Sequence, residues 1–212
     1  MNRALRCASK LQEVKIAFER NQKTKMKKII SLFLVLIFSV LLFSSCGNKQ
    51  HTVEITVENY GVITVLLDES VAPITVKNFL KLVEEGFYDG LTFHRIIDGF
   101  MIQGGDPKGN GTGGSSEKIK GEFKANGVEN DLSHKRGVIS MARSNAYDSA
   151  SSQFFIMHKD YTPLDGKYAA FGWVTSGMEV VDAICANTPV IDDNGTVLSV
   201  NQPKITSIRI VE

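Results

Sequence analysis

Polar and apolar positions alternate where the main body of this chain begins: Val53, Ile55 and Val57 are separated by Thr52, Glu54, Thr56 and Glu58. That is the period of a strand with one wet face. Val62 to Leu67 is a second, more apolar run, and Asn59-Tyr60-Gly61 between the two has the residues of a turn, so the pair predicts a hairpin. The period then changes. Pro73 suits a first helical position, Val76, Phe79, Leu80 and Val83 recur three or four apart, and Gly86 follows where a helix is capped, which predicts about three helical turns. Strand-length apolar stretches follow at 91–97, 100–103, 137–142, 153–157, 169–174 and 205–211, interrupted by Met178, Val181 and Cys185 at helical spacing. Many short strands with two helices predict a sandwich or a barrel in a single domain without internal repeats.

The first 45 residues follow another pattern. Ile29 to Phe43 is apolar except for Ser31 and Ser39, and Lys25, Lys27 and Lys28 precede it. A charged segment leading into an apolar core of this length is the pattern of a secretory signal and is short for a spanning helix; an uncleaved anchor is the other reading. Leu42-Phe43-Ser44-Ser45-Cys46-Gly47 resembles a bacterial lipobox, in which Cys46 would receive lipid and become the first mature residue. Two or more acyl chains suffice for stable anchoring. Residues 26–45 are then a lipoprotein signal peptide, residues 46–52 a lipidated cysteine and polar tether including Asn48, Lys49 and Gln50, and residues 53–212 the folded domain. Met26-Lys27-Lys28 supplies the basic start such a signal needs, which makes residues 1–25 a mis-assigned upstream extension, although Leu11, Val14, Ala17 and Phe18 keep an amphipathic spacing. Of three cysteines, Cys7 lies in the discarded part and Cys46 is lipidated, so Cys185 has no partner for a disulfide. The expected location is the cell membrane, lipid-anchored on its extracytoplasmic face.

Composition narrows the classes. A chain of 212 residues with 43% hydrophobic and 22% charged residues is not collagen, a disordered tail or a multi-pass membrane protein. The net charge of +1 hides an asymmetry: residues 1–45 hold nine Lys/Arg and two Asp/Glu, the remainder fifteen and twenty-one. An acidic body argues against a nucleic-acid partner. Residues 109–114 satisfy G-x-G-x-x-G, but Ser115-Ser116-Glu117-Lys118 carries no helix signal, so no dinucleotide site is expected. His51, His94, His134 and His158 lack zinc-type spacing, and Ser140, Ser151 and Ser152 lie in no G-x-S-x-G elbow, so neither a metal nor hydrolase chemistry is expected. Asn194-Gly195-Thr196 matches a glycosylation sequon and reads as a turn.

Phe93-His94-Arg95-Ile96-Ile97-Asp98-Gly99-Phe100-Met101-Ile102-Gln103-Gly104-Gly105-Asp106 sets one fixed cation and one amide among large apolar residues. Together with Asn110-Gly111-Thr112-Gly113-Gly114, 137–142, 152–156 and Leu164-Asp165-Gly166-Lys167, this stretch resembles the cyclophilin family of peptidyl-prolyl isomerases from about Val53 to Val211. The resemblance implies an all-β fold, a closed eight-stranded antiparallel barrel with a helix over each end, and a proline-binding groove on its outer face. It implies Arg95 as the catalytic residue, and Phe100, Met101, Phe155 and Leu164 as the lining of a proline pocket. Gln103 would hydrogen-bond the substrate backbone, with Gly111, Thr112, Ala142 and Gln153 bordering the neighbouring groove. Phe93, Ile96, Ile97, Phe154 and Ile156 read as core.

The chain departs from many members of the family at three places. Pro163 stands where a tryptophan is common, removing an indole donor and predicting weak cyclosporin binding. Tyr168 replaces a histidine but keeps an aromatic wall with a polar tip. Arg143 and Ser144 would narrow or recharge the groove. The expected protein is a monomer that needs no cofactor and acts on proline-containing polypeptides outside the membrane. A non-catalytic proline-peptide-binding chaperone or scaffold is the alternative, and a solute-binding lipoprotein is disfavoured by the short body.

Overall fold

The structure, a computed structural model, describes residues 50–211; the signal segment, Met26 and Cys46 lie outside the described residues. The order of elements is β1 (Gln50–Val57), β2 (Gly61–Asp68), α1 (Pro73–Glu84), β3 (Phe93–Ile97), β4 (Met101–Gly104), β5 (Val138–Met141), β6 (Phe154–Met157), β7 (Ala170–Ser176), α2 (Met178–Asn187) and β8 (Ile205–Val211). Gln50, expected in the tether, is already in β1 and pairs with Asp68. The predicted hairpin closes at Val57 opposite Gly61, with Asn59 in the left-handed region at φ 64°, which asparagine tolerates better than most residues.

Helix α1 starts at Pro73, whose fixed φ fits the first turn, and stops before Gly86, at φ +67°. Its N-cap residue, Ala72, has no side chain to satisfy the free N–H groups. Glu122, which the chain brings in from a distant loop, accepts the N–H groups of Ile74 (3.0 Å) and Thr75 (2.7 Å) and the Thr75 hydroxyl (2.7 Å). A carboxylate there also complements the positive end of the helix dipole.

All eight strands form one antiparallel sheet in the order β3-β4-β6-β5-β7-β2-β1-β8. The expected closed barrel is therefore corrected to an open one, because the end strands β3 and β8 do not pair along a ladder. The 191–197 turn occupies the free edge of β3 instead: the Ile96 N–H donates to Gly195 O (2.8 Å) and the Val197 N–H to His94 O (3.1 Å). Gly195, at φ +77°, is needed for that approach, since a Cβ would collide with the Ile96 carbonyl. Pro203, which has no N–H to give, precedes β8. Among the described residues, the backbone N–H groups of Gly90, Phe93 and Ile205 bridge the gap between the flanking segments. An edge covered by a loop is protected as a closed one would be.

Alternation sorts the side chains. Inward positions build a core from Val53, Ile55, Ile63, Val65, Leu67, Ile96, Ile102, Ile139, Phe154 and Ile156, which α1 covers with Val76, Phe79 and Val83 and α2 with Val181 and Ile184. Tyr88, fully buried beside Phe79 and Phe154, satisfies its hydroxyl on Ser152 O (3.1 Å). Phe93, Ile96, Phe154 and Ile156 are core as expected, whereas Ile97 belongs to a second cluster. That cluster, with Met101, Val138, Phe155, Met157 and Ala170 at its centre, lies on the other face of the same strands.

Candidate active site

The second apolar cluster follows from strand register. Arg95 on β3 faces Gln103 on β4, Gln103 faces Phe155 on β6, and Phe155 faces Ser140 on β5. One row across the outer face of the sheet thus carries a guanidinium, an amide, a phenyl ring and a hydroxyl, with Met101 opposite Met157 in the next row. Arg95, Phe100, Met101, Gln103, Ala142, Arg143, Phe155, Leu164 and Tyr168 line a pocket of about 250 Å³. An adjoining groove of about 210 Å³ is bordered by Gln103, Gly111, Thr112, Ala142, Arg143 and Gln153, with Lys118, Ser149 and Ser151 on its far wall. Every candidate substrate-binding residue expected from the sequence falls on one of these two depressions.

Two loops complete the pocket. Leu164 and Tyr168 flank Asp165, whose carboxylate accepts the Ser133 hydroxyl (2.6 Å) and the His134 N–H (2.7 Å) and meets His134 Nδ1 at 2.9 Å. His134 Nε2 lies 3.0 Å from the Ser140 hydroxyl, and its ring stacks on Phe155 at 6.0 Å. The geometry fixes the tautomer: Nδ1–H donates to Asp165 and Nε2 accepts from Ser140. Burial pushes His134 below the ordinary imidazole value despite the opposing Asp165 carboxylate. This Asp-His-Ser chain runs from the half-exposed Asp165 to the buried His134 and Ser140 and ties the 162–168 loop to β5; Ser140 is fully buried and unable to act as a nucleophile. On the opposite wall Phe100 packs edge-on against Tyr161 at 4.9 Å.

The two arginines differ in how their donors are used. Arg143 lies over the rings of Phe123, Tyr147 and Tyr168 at 5.1, 5.0 and 4.6 Å, and gives its Nε and Nη2 hydrogens to Lys167 O and an Nη1 hydrogen to Ser144 O. Arg95 is anchored by one firm bond, Nε–H to Asn194 O at 2.8 Å. Its Nη1 makes only long contacts, 3.3 Å to Gln103 Oε1 and 4.0 Å to Met101 Sδ. No carboxylate pairs with it among the described residues. Burial lowers its pKa, opposed by Tyr168 and Asp192, but a guanidinium stays protonated at any working pH.

Gln103 is held at both ends. Its Oε1 faces Arg95, and its Nε2 donates to Gln153 Oε1 (2.9 Å), while Gln153 Nε2 donates to Gly113 O (2.7 Å) and Gly111 O (3.1 Å). A chain of two amides therefore joins the pocket to the 111–113 loop. Asn194 was invisible as a site residue in the sequence, because its contribution is a backbone carbonyl. Lys118, Ser149 and Ser151 carried no signal either, since they reach the groove only through folding of separate loops.

The family model described as cyclophilin type peptidyl-prolyl cis-trans isomerase/CLD matches residues 52–210. The chain is 52% identical over 108 residues to peptidyl-prolyl cis-trans isomerase B of Bacillus subtilis (strain 168), covering 51% of this chain and 72% of that protein. It is 41% identical over 167 residues to peptidyl-prolyl cis-trans isomerase A of Dickeya dadantii (strain 3937), covering 75% and 85%. Among solved structures, a cyclophilin type peptidyl-prolyl cis-trans isomerase of Cryptosporidium parvum, crystallised in the presence of the dipeptide Ala-Pro, superposes with a TM-score of 0.67 at 34% identity, over 76% of this chain and 99% of that one.

Proposed function

Because this chain belongs to the cyclophilin-type peptidyl-prolyl cis-trans isomerase family and has that family's activity, we propose that Arg95 is its catalytic residue and that the 250 Å³ pocket receives the proline ring. Rotation about an X-Pro bond meets a barrier of about 18–20 kcal/mol from amide resonance, while its isomers differ by only about 0.5–1 kcal/mol. Catalysis therefore needs no nucleophile or proton carrier, only preferential binding of the twisted amide. Twisting makes the nitrogen pyramidal and basic, so it accepts a hydrogen bond that the planar amide refuses. Arg95 presents uncommitted N–H donors at that place, always charged, beside a wall of Phe100, Met101, Phe155 and Leu164 that excludes water and strengthens the contact. Gln103, fixed by Gln153, offers its remaining N–H and lone pair to the peptide backbone. Gly111, Thr112, Ala142 and Gln153 border the path of the flanking residues, and Tyr168 closes the ring's far side.

The observation that carries this reading is a guanidinium on an apolar pocket wall without a carboxylate to consume it. Accelerated cis-to-trans relaxation of a proline peptide is expected, and Arg95→Ala should lower kcat/KM by about 10²–10³-fold, the cost of one preorganised donor. Full activity in that variant would mean that the groove binds without this residue's catalysis.

The reading extends to place. The residue pattern from Lys25 to Gly47 supports export and lipidation at Cys46. The monomeric domain would then act on newly exported chains at the extracytoplasmic face of the cell membrane. Cys46→Ser should move the protein from the membrane to the soluble fraction; retention in the membrane would point to an uncleaved span.

A further inference from the structure

Arg95 and Gln103 also line a larger cleft, about 590 Å³, which adjoins the proline pocket and is walled by the 108–112 loop and the 194–202 segment. We propose that this cleft is a second subsite, which takes an acidic side chain of the polypeptide whose proline is being isomerised. The proposal rests on the isomerase reading and adds a specificity to it.

Charge is the first reason. The domain is acidic as a whole, with fifteen Lys/Arg against twenty-one Asp/Glu from residue 46 onward, yet this cleft is lined by two cations, Arg95 and Lys108, and by no carboxylate. The Lys108 side chain is exposed and makes no hydrogen bond or ion pair among the described residues. Asp106, the carboxylate next to Lys108 in the chain, is buried and accepts the N–H groups of Lys108 (2.8 Å), Asn110 (3.2 Å) and Gly111 (2.6 Å), which shapes the loop; Asp192, which acts on Arg95 from outside the cleft lining, forms an ion pair with neither cation.

An unmet polar group is the second reason. His94, 4% exposed, lies on the wall of the cleft beneath Gly111, and neither of its ring nitrogens has a partner. A Cβ at position 111 would lie 3.6 Å from His94 Nε2, in a backbone conformation of φ +84° that glycine accepts most readily. Buried polar groups are almost always satisfied, and an orphan in a cleft calls for a partner. Burial holds this imidazole below its ordinary pKa, so it offers an N–H to an anion without itself carrying charge. A carboxylate is the common side chain that suits the Lys108 ammonium and a neutral imidazole N–H together, while the Arg95 guanidinium adds to the positive field of the cleft and keeps its free donors for the proline pocket.

The test uses the full chain and a series of proline peptides bearing Glu or Gln at each of the three positions on either side of proline. The readout is the Glu/Gln ratio of kcat/KM within each protein variant. At one position the ratio should be about five, expressed in KM, and should shrink in high salt, as for a partly screened ion pair. Lys108→Gln should bring it near one and Lys108→Glu below one, at that position only. A ratio of one at every position overturns the proposal, as does a preference that survives Lys108→Glu. Reversal by Lys118→Glu instead would put the acid in the neighbouring groove and also overturn it. Turnover of none of the peptides, Gln series included, would overturn the isomerase reading and this subsite together, and so is distinct from a flat ratio.

Discussion

At the scale of single residues, the site turns on what each arginine has left to give. Arg95 and Arg143 line the same pocket, and the sequence marks the first as a cation among apolar residues and the second as one that recharges the groove. Arg143 spends Nε, Nη1 and Nη2 on the carbonyls of Lys167 and Ser144 and its faces on three rings, so it is a bracket that holds Tyr168 and the 143–147 loop together. Arg95 spends Nε alone on a firm bond, and its Nη1 makes only long contacts. Arg143→Ala is accordingly expected to raise KM and to cost about 1–2 kcal/mol of stability through lost stacking and hydrogen bonds, with kcat within about a factor of three of the parent. Steady-state kinetics beside a thermal melt separates the two roles; a large fall in kcat at unchanged Tm would assign Arg143 to the chemistry instead. The motif around Arg95 was readable in the sequence, but the difference between the two cations was not, because it resides in carbonyls supplied by Asn194, Ser144 and Lys167.

At the scale of elements, hydrophobic period alone placed both helices and all eight strands to within a few residues, since burial on one face leaves the same signature in any fold. The capping of α1 shows the limit of that reading. Pro73 announces a helix start, yet Ala72 cannot serve the free N–H groups, and the cap is Glu122, separated from Ile74 by 48 positions. Glu122 is 2% exposed, so removing its charge strands donors that water does not reach. Glu122→Gln should destabilise the fold by about 2 kcal/mol, on the scale of hydrogen bonds to a charged group, and lower Tm by roughly 4–8 °C. An unchanged melting curve would show that solvent or another group takes over the cap. The edge of β3 makes the same point: strand periods do not say that the 191–197 turn, rather than β8, lies alongside it.

At the scale of the whole molecule, two buried imidazoles link stability to pH. Burial holds both His94 and His134 below the ordinary imidazole value of 6.5, opposed at His94 by Asp106 and at His134 by Asp165. The unfolded chain therefore binds more protons than the folded one below that value, and stability rises with pH there. The contribution is complete above 6.5 and is lost as pH falls through the lowered folded values. Asp106 and Asp165 add a further loss in more acid solution: burial alone would raise them, but the N–H groups aimed at them outweigh it and hold both below the ordinary carboxylate value of 3.8. Tm should thus be flat above about pH 7, decline through the acid side of 6.5, and fall again below about pH 4. A melting temperature constant from pH 8 to pH 5 would contradict the burial of these two rings. What the sequence determined by itself was the kind of molecule: the strand and helix periods, and a run of residues specific enough to indicate a family. These are statements about neighbours in the chain or about residue types, and no fold is needed to make them. Tertiary structure alone decided that the sheet stays open, that Glu122 caps a helix, that Asn194 anchors Arg95 across 99 positions, and that a cationic cleft lies in an acidic domain. The reason is physical: which distant groups meet is set by strand register and loop paths, and a hydrogen bond or a charge takes its meaning from the partner it finds there.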